Sequence, residues 1–262
     1  MEMIATSKMR RAQERGLAGR PYAEKIYQVI ADLAALPEGG EALHPLLQRR
    51  PVTKIAIVHI TPDRGLCGGL HAALNRRTAS FILEQTVPGT LIVVGRKGLE
   101  FMGRYGRDIR AEFTRLGDRP SLLDTLPISR IIIDDYSNGI IDLVYLVYAQ
   151  FISTMVQRPI LQQILPVEPA AIPRAQNVDY IYEPGPALVL GELLPRFVEM
   201  EVYHAILESI ASEQSARMVA MRNATDNANE LIQDLTLMYN KARQESITRE
   251  LLDITGGAAA LA

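Results

Sequence analysis

Hydrophobic residues recur every three or four positions over the last quarter of the chain. The run from Arg196 to Thr255 holds 60 residues without glycine or proline, and this spacing is typical of an amphipathic helix. At about 1.5 Å per residue, the run predicts a rod of about 90 Å, which a compact domain of this size could not contain. We therefore expect much of this helix to project and to need a partner.

Within the predicted helix, one stripe of residues has alternating spacings of four and three. This spacing is the pattern of a coiled-coil seam. Gln214 and Arg217 interrupt the stripe, whereas Ala224 and Ala228 would allow a second helix to approach closely. A long helix that merely packs on a domain is the alternative. The stripe consists of Tyr203, Leu207, Ile210, Gln214, Arg217, Met221, Ala224, Ala228, Leu231, Leu235, Met238 and Ala242.

The beginning of the chain has the same helical period. Helix is predicted over Met1–Arg15 and Pro21–Leu36, with Gly16 and Gly19 between them, where the helix is expected to bend or break. Because this is the only other long helical segment, an antiparallel pairing of the two chain ends is the economical arrangement.

Short apolar runs rich in β-branched residues occupy the middle of the chain and predict strands. Helix is predicted between them, over residues 70–85, and strand and loop over residues 157–195. Gly256 and Gly257 are expected to end the last helix. Strands alternating with helices favour an α/β fold with a largely parallel sheet. The predicted strands are Lys54–Ile60, Thr90–Gly95, Ile128–Asp135 and Ile141–Phe151.

Composition narrows the class of protein. The 262 residues are 48% hydrophobic and 22% charged, with a net charge of −2, so the overall charge gives no reason to expect nucleic acid or an anionic membrane as a partner. The single cysteine, Cys67, excludes an internal disulfide framework. No segment reaches the roughly 18 apolar residues that insertion into a bilayer requires, and the N-terminus has no signal-peptide core.

Two glycine-containing segments follow predicted strands, where phosphate-binding loops also occur. Arg64–His71 and Val93–Gly98 nevertheless have neither of the usual phosphate-loop spacings. Tight turns and close packing of strand on helix are the favoured interpretation. The Ile131–Asp135 segment ends in two carboxylates that could hold a cation, although turn residues at a sheet edge are more common.

The remaining candidate residues form no catalytic constellation. The four histidines lie in unrelated segments without metal-ligand spacing, and Cys67 has no sequence mark of a nucleophile, so a structural role is expected. Basic residues lie in Ser7–Arg15 and again in Asn240–Gln244. If the two helices are antiparallel, these stretches form one basic collar; a solvated charged face is the alternative. We predict no catalytic, cofactor-binding or metal site.

Several segments together resemble one family, the gamma subunits of F-type ATP synthases. The resemblance covers essentially the whole chain, and the last helix is its most specific part. The segments are MEMIATSKMRRAQ, RPYAEKI, DRGLCGGL, VGRKG, ASEQSARMVAMRNATDNANELI, NKARQESIT and GGAAALA.

The resemblance implies an antiparallel coiled coil of the N- and C-terminal helices with a Rossmann-like α/β domain at its foot. It implies domains at residues 1–50, 51–190 and 191–262. It also implies a non-catalytic rotor subunit that needs no cofactor and couples proton-driven rotation of a ring of c subunits to ATP synthesis, or to hydrolysis in reverse. The implied partners are three alpha and three beta subunits, the epsilon subunit and the c-ring.

By position in the family, the resemblance assigns beta-subunit contacts to eight residues. Basic residues of both helices are expected to face acidic loops of the beta subunits, and the others lie in the same contact zone. The assigned residues are Met1, Lys8, Arg10, Arg11, Arg243, Gln244, Thr248 and Glu250.

Further expectations concern the start of the chain and the location of the protein. The family's first helix extends before MEM, so we expect this sequence to begin partway through that helix. A peripheral position at the cytoplasmic side of a bacterial plasma membrane is implied. Two other functions remain open: a nucleotide-binding α/β protein with a dimerising coiled coil, and a structural coiled-coil adaptor.

Overall fold

The computed structural model describes residues 1–34, 44–168, 182–183 and 185–260. These residues contain five helices and five strands, with loops between them. The helices are α1 (Glu2–Ala34), α2 (Leu70–Glu84), α3 (Arg96–Arg104), α4 (Leu122–Ser137) and α5 (Pro186–Ala260), with a short 3-10 turn at Pro45–Leu47. The strands are β1 (Ile55–Ile60), β2 (Gly89–Val94), β3 (Ile109–Phe113), β4 (Leu143–Phe151) and β5 (Gln157–Leu165). The chain divides into two units, residues 1–219 and 220–262.

The strands of the first unit form one sheet in the order β3-β2-β1-β4-β5. β1 pairs in parallel with β2 and with β4, and β2 pairs in parallel with β3, whereas β5 is antiparallel to β4. All six residues of β1 are buried, as expected for a central strand covered on both faces. The predicted, largely parallel α/β sheet is therefore present.

Helices cover both faces of this sheet, so each face has its own core. Residues of α1, α4 and α5 join Val58 and Leu146 in the larger cluster, whereas residues of α2 and α3 join Ile57 and Val93 in the smaller one. Alternate residues of the same strands supply the two clusters, because successive side chains point to opposite faces.

One predicted strand is a helix. Ile128–Asp135 lies within α4, and the buried residues Ile128, Ile132 and Tyr136 are four apart, which places them on one helical face. The Ser121 N–H donates to the Asp124 carboxylate at 2.7 Å and caps the first turn. Three consecutive isoleucines suggest a strand, but the cap and the four-residue burial period determine a helix.

The ends of both long helices differ from the prediction. α1 continues through Gly16, Gly19 and Pro21 without a break, although residues 35–43, including the predicted helix end at Leu36, lie outside the described residues. α5 begins at Pro186, contains Pro195, and passes through the two glycines at 256–257 that were expected to end it. A glycine costs about 1 kcal/mol in a helix, which weakens the helix but does not forbid it.

Within residues 1–219, α1 and the first part of α5 pack antiparallel. The rings of Tyr27 and Phe197 stack with centroids 5.3 Å apart, while Ala12, earlier in α1, lines a cavity with Ala211, later in α5. The two contacts therefore run in opposite directions along the two helices. This packing confirms the predicted antiparallel pairing for this part of the chain.

The second unit, residues 220–262, is helical as far as Ala260. Its helical part is about 60 Å long at 1.5 Å per residue. Every side chain from 222 to 257 is exposed. No helix within the described residues is both long and apolar enough to cross a membrane.

Candidate functional site

The loops that follow β1, β2 and β3 meet at the carboxyl edge of the sheet, where α/β proteins commonly bind ligands. Here the carboxylate of Asp63 occupies the centre of the edge. Its two oxygens accept from the backbone N–H of Arg96, at the start of α3, and of Arg115, after β3, each at 2.9 Å. Because backbone N–H groups at a helix start are what a phosphate would need, the chain supplies its own anion at this position.

The glycines of the segment after β2 have a packing role. Gly95 has a φ of +96° and its backbone lies directly against Thr61 of the neighbouring strand end. Gly98 lies against the ring of His59, and its N–H donates to the Thr61 hydroxyl at 2.8 Å. The structure thus supports the close strand-on-helix packing that the sequence favours over a phosphate-binding loop.

His59 in β1 is completely buried in a polar trio with two residues of α2. Its Nε2 lies 2.8 Å from Asn75 Oδ1 and its Nδ1 lies 2.8 Å from the Thr78 hydroxyl. The neutral tautomer with the proton on Nε2 satisfies both contacts. Burial lowers the pKa of His59 to about 4, against the raising effect of the Asn75 hydrogen bond. This histidine is therefore a neutral core residue.

The depressed pKa of His59 predicts a loss of stability in acid. Since the folded pKa is about 4 and the ordinary value is 6.5, the unfolded chain binds the proton more tightly. The contribution of neutral His59 to the free energy of unfolding is complete above pH 6.5 and is lost as the pH falls to about 4. The loss is about 3 kcal/mol. Urea unfolding from pH 7 to pH 4.5 measures this loss.

The control for the acid prediction is His59→Gln, which keeps a polar side chain but does not titrate in this range. Carboxylates contribute to acid sensitivity in both proteins, so the difference between the two pH profiles isolates His59. NMR titration of the imidazole gives its pKa directly. Parallel pH profiles for the two proteins would contradict the prediction.

Cys67 and Asp135 make contacts inside the protein, and Asp134 is exposed on α4. The Cys67 thiol is buried, 3.8 Å from Nδ1 of His71, and burial, followed by the nearby Glu213 carboxylate, raises its pKa. It is therefore protonated at neutral pH and a poor nucleophile. The two aspartates lie in α4 rather than at a strand end, so the sheet-edge turn favoured for them is wrong; Asp135 pairs with a guanidinium of β3 at 3.2 Å.

A cavity of about 510 Å³ lies between the carboxyl edge of the sheet and α5. Its acidic residues are already engaged by protein groups: Asp63 as described, Asp118 by Lys8 at 2.6 Å, and Glu213 by Arg217 at 2.6 Å. Within the described ranges, no group of three or more His, Cys, Asp or Glu side chains is arranged to hold a metal ion. Protein groups therefore already pair with the three carboxylates that line the cavity.

The predicted contact residues of α1 have different surroundings. Lys8 forms its ion pair with Asp118, and Arg10 pairs with a glutamate one turn later at 2.9 Å. Arg11 and Met1 are exposed, with 73% of Met1 accessible. Arg10 and Arg11 are therefore accessible to another molecule, although Arg10 also pairs within its own helix, and part of the Lys8 charge is used inside the chain.

The predicted contact residues of α5 all lie in the unit 220–262. Arg243, Gln244, Thr248 and Glu250 are exposed. The single basic collar stays a prediction, because its two halves belong to separate units.

The unit 220–262 exposes many large apolar side chains. Leu231, Leu235 and Met238 belong to the predicted seam, but sequence reasoning did not single out the others. Exposed apolar surface on this scale marks a site of protein interaction. The exposed large apolar residues of this unit are Leu231, Ile232, Leu235, Leu237, Met238, Tyr239, Ile247, Leu251, Leu252 and Ile254.

Comparison with known proteins identifies relatives along the whole chain. A family model described as ATP synthase matches residues 1–261. A protein of Dehalococcoides mccartyi named ATP synthase gamma chain is 70% identical over 262 residues, which cover 100% of this chain and 92% of that protein. Gamma chains of Herpetosiphon aurantiacus and Chloroflexus aurantiacus are 52% and 51% identical and are covered over 92% and 91% of their lengths.

Solved structures show the same fold. A chain of the central stalk and c-ring structure of the Tetrahymena thermophila mitochondrial ATP synthase has a TM-score of 0.64 at 23% identity, covering 86% of this chain and 97% of that one. A chain of the Euglena gracilis mitochondrial ATP synthase has a TM-score of 0.61 at 20% identity, covering 99% and 94%. These similarities confirm the predicted α/β fold with a long C-terminal helix.

Proposed function

Because the chain belongs to the ATP synthase gamma-chain family, we propose that it is the central-stalk rotor subunit of an F-type ATP synthase. In this role it couples proton-driven rotation of the c-ring to ATP synthesis at the beta-subunit sites, or ATP hydrolysis to the reverse rotation. In this proposal the chain transmits rotation, and the beta subunits catalyse the reaction. The rotor works by biasing nucleotide sites between alternative states according to its angle.

One observation carries this proposal most directly. The helical unit 220–262 exposes a dense set of leucine, isoleucine, methionine and tyrosine side chains. Exposure of this much apolar surface to water is unfavourable, so a protein partner is expected to cover it. A shaft that turns inside a ring of other subunits needs such a surface. The sheet of the α/β body, residues 1–219, is packed on both faces, as a domain that receives force from another partner requires.

The proposed partners are three alpha and three beta subunits around the shaft, and the epsilon subunit and c-ring at the foot. We assign the eight residues predicted from the family to the contact with the beta subunits. Exposed Arg10 and Arg11 on α1 and exposed Arg243 on α5 support this assignment, since charge-assisted contacts to carboxylates are strong and directional. The proposed location is the cytoplasmic side of a bacterial plasma membrane.

We also propose three functional parts, a first shaft helix with its linker at 1–50, a foot domain at 51–190 and a second shaft helix at 191–262. Residues 35–43 and 169–181, which contain much of the two connections, lie outside the described residues.

Assembly with purified alpha and beta subunits tests the rotor function. We expect the full chain to form a stable complex with them and to raise ATP turnover in proportion to the chain incorporated. Size-exclusion chromatography with a coupled ATPase assay measures both quantities. Arg10→Glu with Arg11→Glu should weaken assembly if the basic contacts exist, whereas Arg76→Glu with Arg77→Glu, on exposed positions of α2, should not.

The same experiment separates the other functions. A coiled-coil adaptor would not assemble with alpha and beta subunits, so failure of the intact chain to assemble would favour it. A nucleotide-binding α/β protein would retain ATP or NAD on its own. The two N–H bonds that Asp63 accepts at the carboxyl edge speak against that second function.

A further inference from the structure

Four polar residues lie within two turns of α5, just before the end of the first unit at Val219. They are Ser212, Gln214, Ser215 and Arg217, which we call the polar clamp. Ser212 and Ser215 are completely buried and Gln214 is 2% exposed. Buried polar side chains are costly unless they are hydrogen-bonded, so each requires a partner.

The two serines bond to the β4 strand and the turn that follows it. The Ser212 hydroxyl donates to the carbonyl oxygen of Ala149 at 2.9 Å. The Ser215 hydroxyl donates to the carbonyl oxygen of Thr154 at 2.8 Å and accepts from Nε2 of Gln157 at 3.3 Å. Both serines therefore hold α5 to the β4–β5 hairpin.

Gln214 bonds in a different direction. Its Nε2 donates to one carboxylate oxygen of Asp118 at 3.4 Å. The other oxygen of Asp118 accepts from Nζ of Lys8 at 2.6 Å. A single carboxylate after β3 thus joins α5 to α1.

Arg217 contacts the loop after β1. Its Nη2 donates to the carbonyl oxygens of Gly65 at 3.2 Å and Arg64 at 3.4 Å. The same nitrogen lies 2.6 Å from the carboxylate of Glu213, one turn earlier on α5, and both side chains are largely buried. Burial raises the pKa of Glu213, and the Arg217 charge opposes that rise.

The directions of these bonds matter more than their number. Each residue advances about 100° around a helix, so, with Ser212 at 0°, Arg217 lies at about 140°, Gln214 at about 200° and Ser215 at about 300°. The clamp residues therefore span about 220° of the circumference of α5. Their partners come from the loops after β1 and β3, from β4 and the turn after it, and from the start of β5.

Apolar packing and hydrogen bonds resist motion differently. Apolar contact is non-directional, so it opposes large rotations that would expose the buried face of a helix but tolerates small ones. Hydrogen bonds weaken steeply when their geometry changes. Bonds in several directions therefore fix both the rotation and the axial position of α5 on the α/β body.

We propose that the polar clamp fixes the rotational phase of α5, so that torque applied to the α/β body enters the shaft helix at residues 212–217. This inference rests on the rotor function proposed above. Ser212, Gln214, Ser215 and Arg217 are positioning residues in this process. The clamp also explains why Gln214 and Arg217 interrupt the heptad seam: these two positions hold the body, and the apolar positions after them face other partners.

The first test uses the assembled ATP synthase in vesicles, with protons pumped per ATP hydrolysed as the readout. Arg217→Ala, and separately Ser212→Ala with Ser215→Ala, should lower this ratio, because the hydrogen bonds that restrain the rotation of α5 are lost, while ATP turnover per complex stays close to wild type. Arg217→Lys keeps the ion pair with Glu213, so its ratio of protons pumped per ATP should fall less than that of Arg217→Ala. An unchanged ratio in the alanine variants overturns the proposal.

Arg196→Ala is the matched control. It removes an ion pair of the same helix, to Glu199 at 2.8 Å, outside the clamp. The control should pump like wild type. If it loses coupling as much as Arg217→Ala does, a general loosening of α5 is the cause and the clamp has no special role.

The second test does not depend on the motor. Spin labels at Leu123 on α4 and Met218 on α5, both within the first unit, report the position of the helix on the body in the isolated chain. The distance distribution should broaden in the clamp variants and stay narrow in Arg196→Ala. If the wild-type chain does not support pumping in vesicles but the distance distribution of the clamp variants broadens, the rotor function is rejected and the clamp is kept. If the distance distribution of the clamp variants is unchanged, the clamp is rejected.

Discussion

Gly95→Ala is expected to lower the free energy of unfolding by about 3 kcal/mol or more, the largest effect of any single substitution considered for the α/β body. Gly95 has a φ of +96°, which residues with a Cβ rarely adopt. An ideal Cβ at this position would lie 1.9 Å from the carbonyl oxygen of Thr61 and 2.7 Å from its carbonyl carbon. The clash is with backbone, so no side-chain rotation can relieve it.

The matched control is Gly103→Ala, in the neighbouring helix α3. An added Cβ at Gly103 meets nothing within 4 Å, and alanine is favoured over glycine inside a helix by up to about 1 kcal/mol. We therefore expect a small gain in stability. Urea unfolding followed by circular dichroism measures both variants, and equal midpoints for the two would contradict the packing role of Gly95.

Leu231→Glu with Leu235→Glu is expected to weaken assembly with alpha and beta subunits at least about tenfold. These two seam residues are 59% and 54% exposed in the free chain, and burying each leucine in the complex stabilises it by about 1.5–3 kcal/mol. The substitutions remove that gain and add charges that would be desolvated. Titration by light scattering or surface plasmon resonance measures the affinity.

Asn229→Glu with Gln233→Glu is the matched control for the seam. It adds the same two charges with the same spacing of four. Because Asn229 and Gln233 lie about 160° from Leu231 and Leu235 around the helix, they test the opposite face. Affinity should stay near that of wild type. Equal losses in the two double variants would mean that both faces are buried, and no loss in either would contradict the shaft interpretation.

Much of the fold follows from local pattern. The β-branched runs in β1, β2 and β4 predict strands because such residues suit a sheet buried on both faces. The strand β3 was not predicted, since its charged Arg110 and Glu112 are exposed and leave only three alternating, partly buried positions. The isoleucines of α4 mislead for a related reason. A run of apolar residues is compatible with both strand and helix, and here the N-terminal helix cap favours the helix.

The polar contacts of the site are harder to predict than the elements. Gln214 and Arg217 stand out in the sequence as interruptions of a seam, yet their partners Asp118 and Gly65 are distant along the chain. Asp63 gives no sequence signal, because any aspartate in a loop fits a turn equally well. Such contacts depend on the tertiary arrangement of loops, which local periodicity does not contain.

The carboxylate of Asp63 has a consequence for how the start of α3 is held. A folded state that needs a bound nucleotide gains stability only as the free concentration of that nucleotide allows. Here the anion at the start of α3 is covalently part of the chain, so its local concentration never changes. The order of the backbone N–H groups of Arg96 and Arg115 therefore does not depend on a free phosphate or nucleotide.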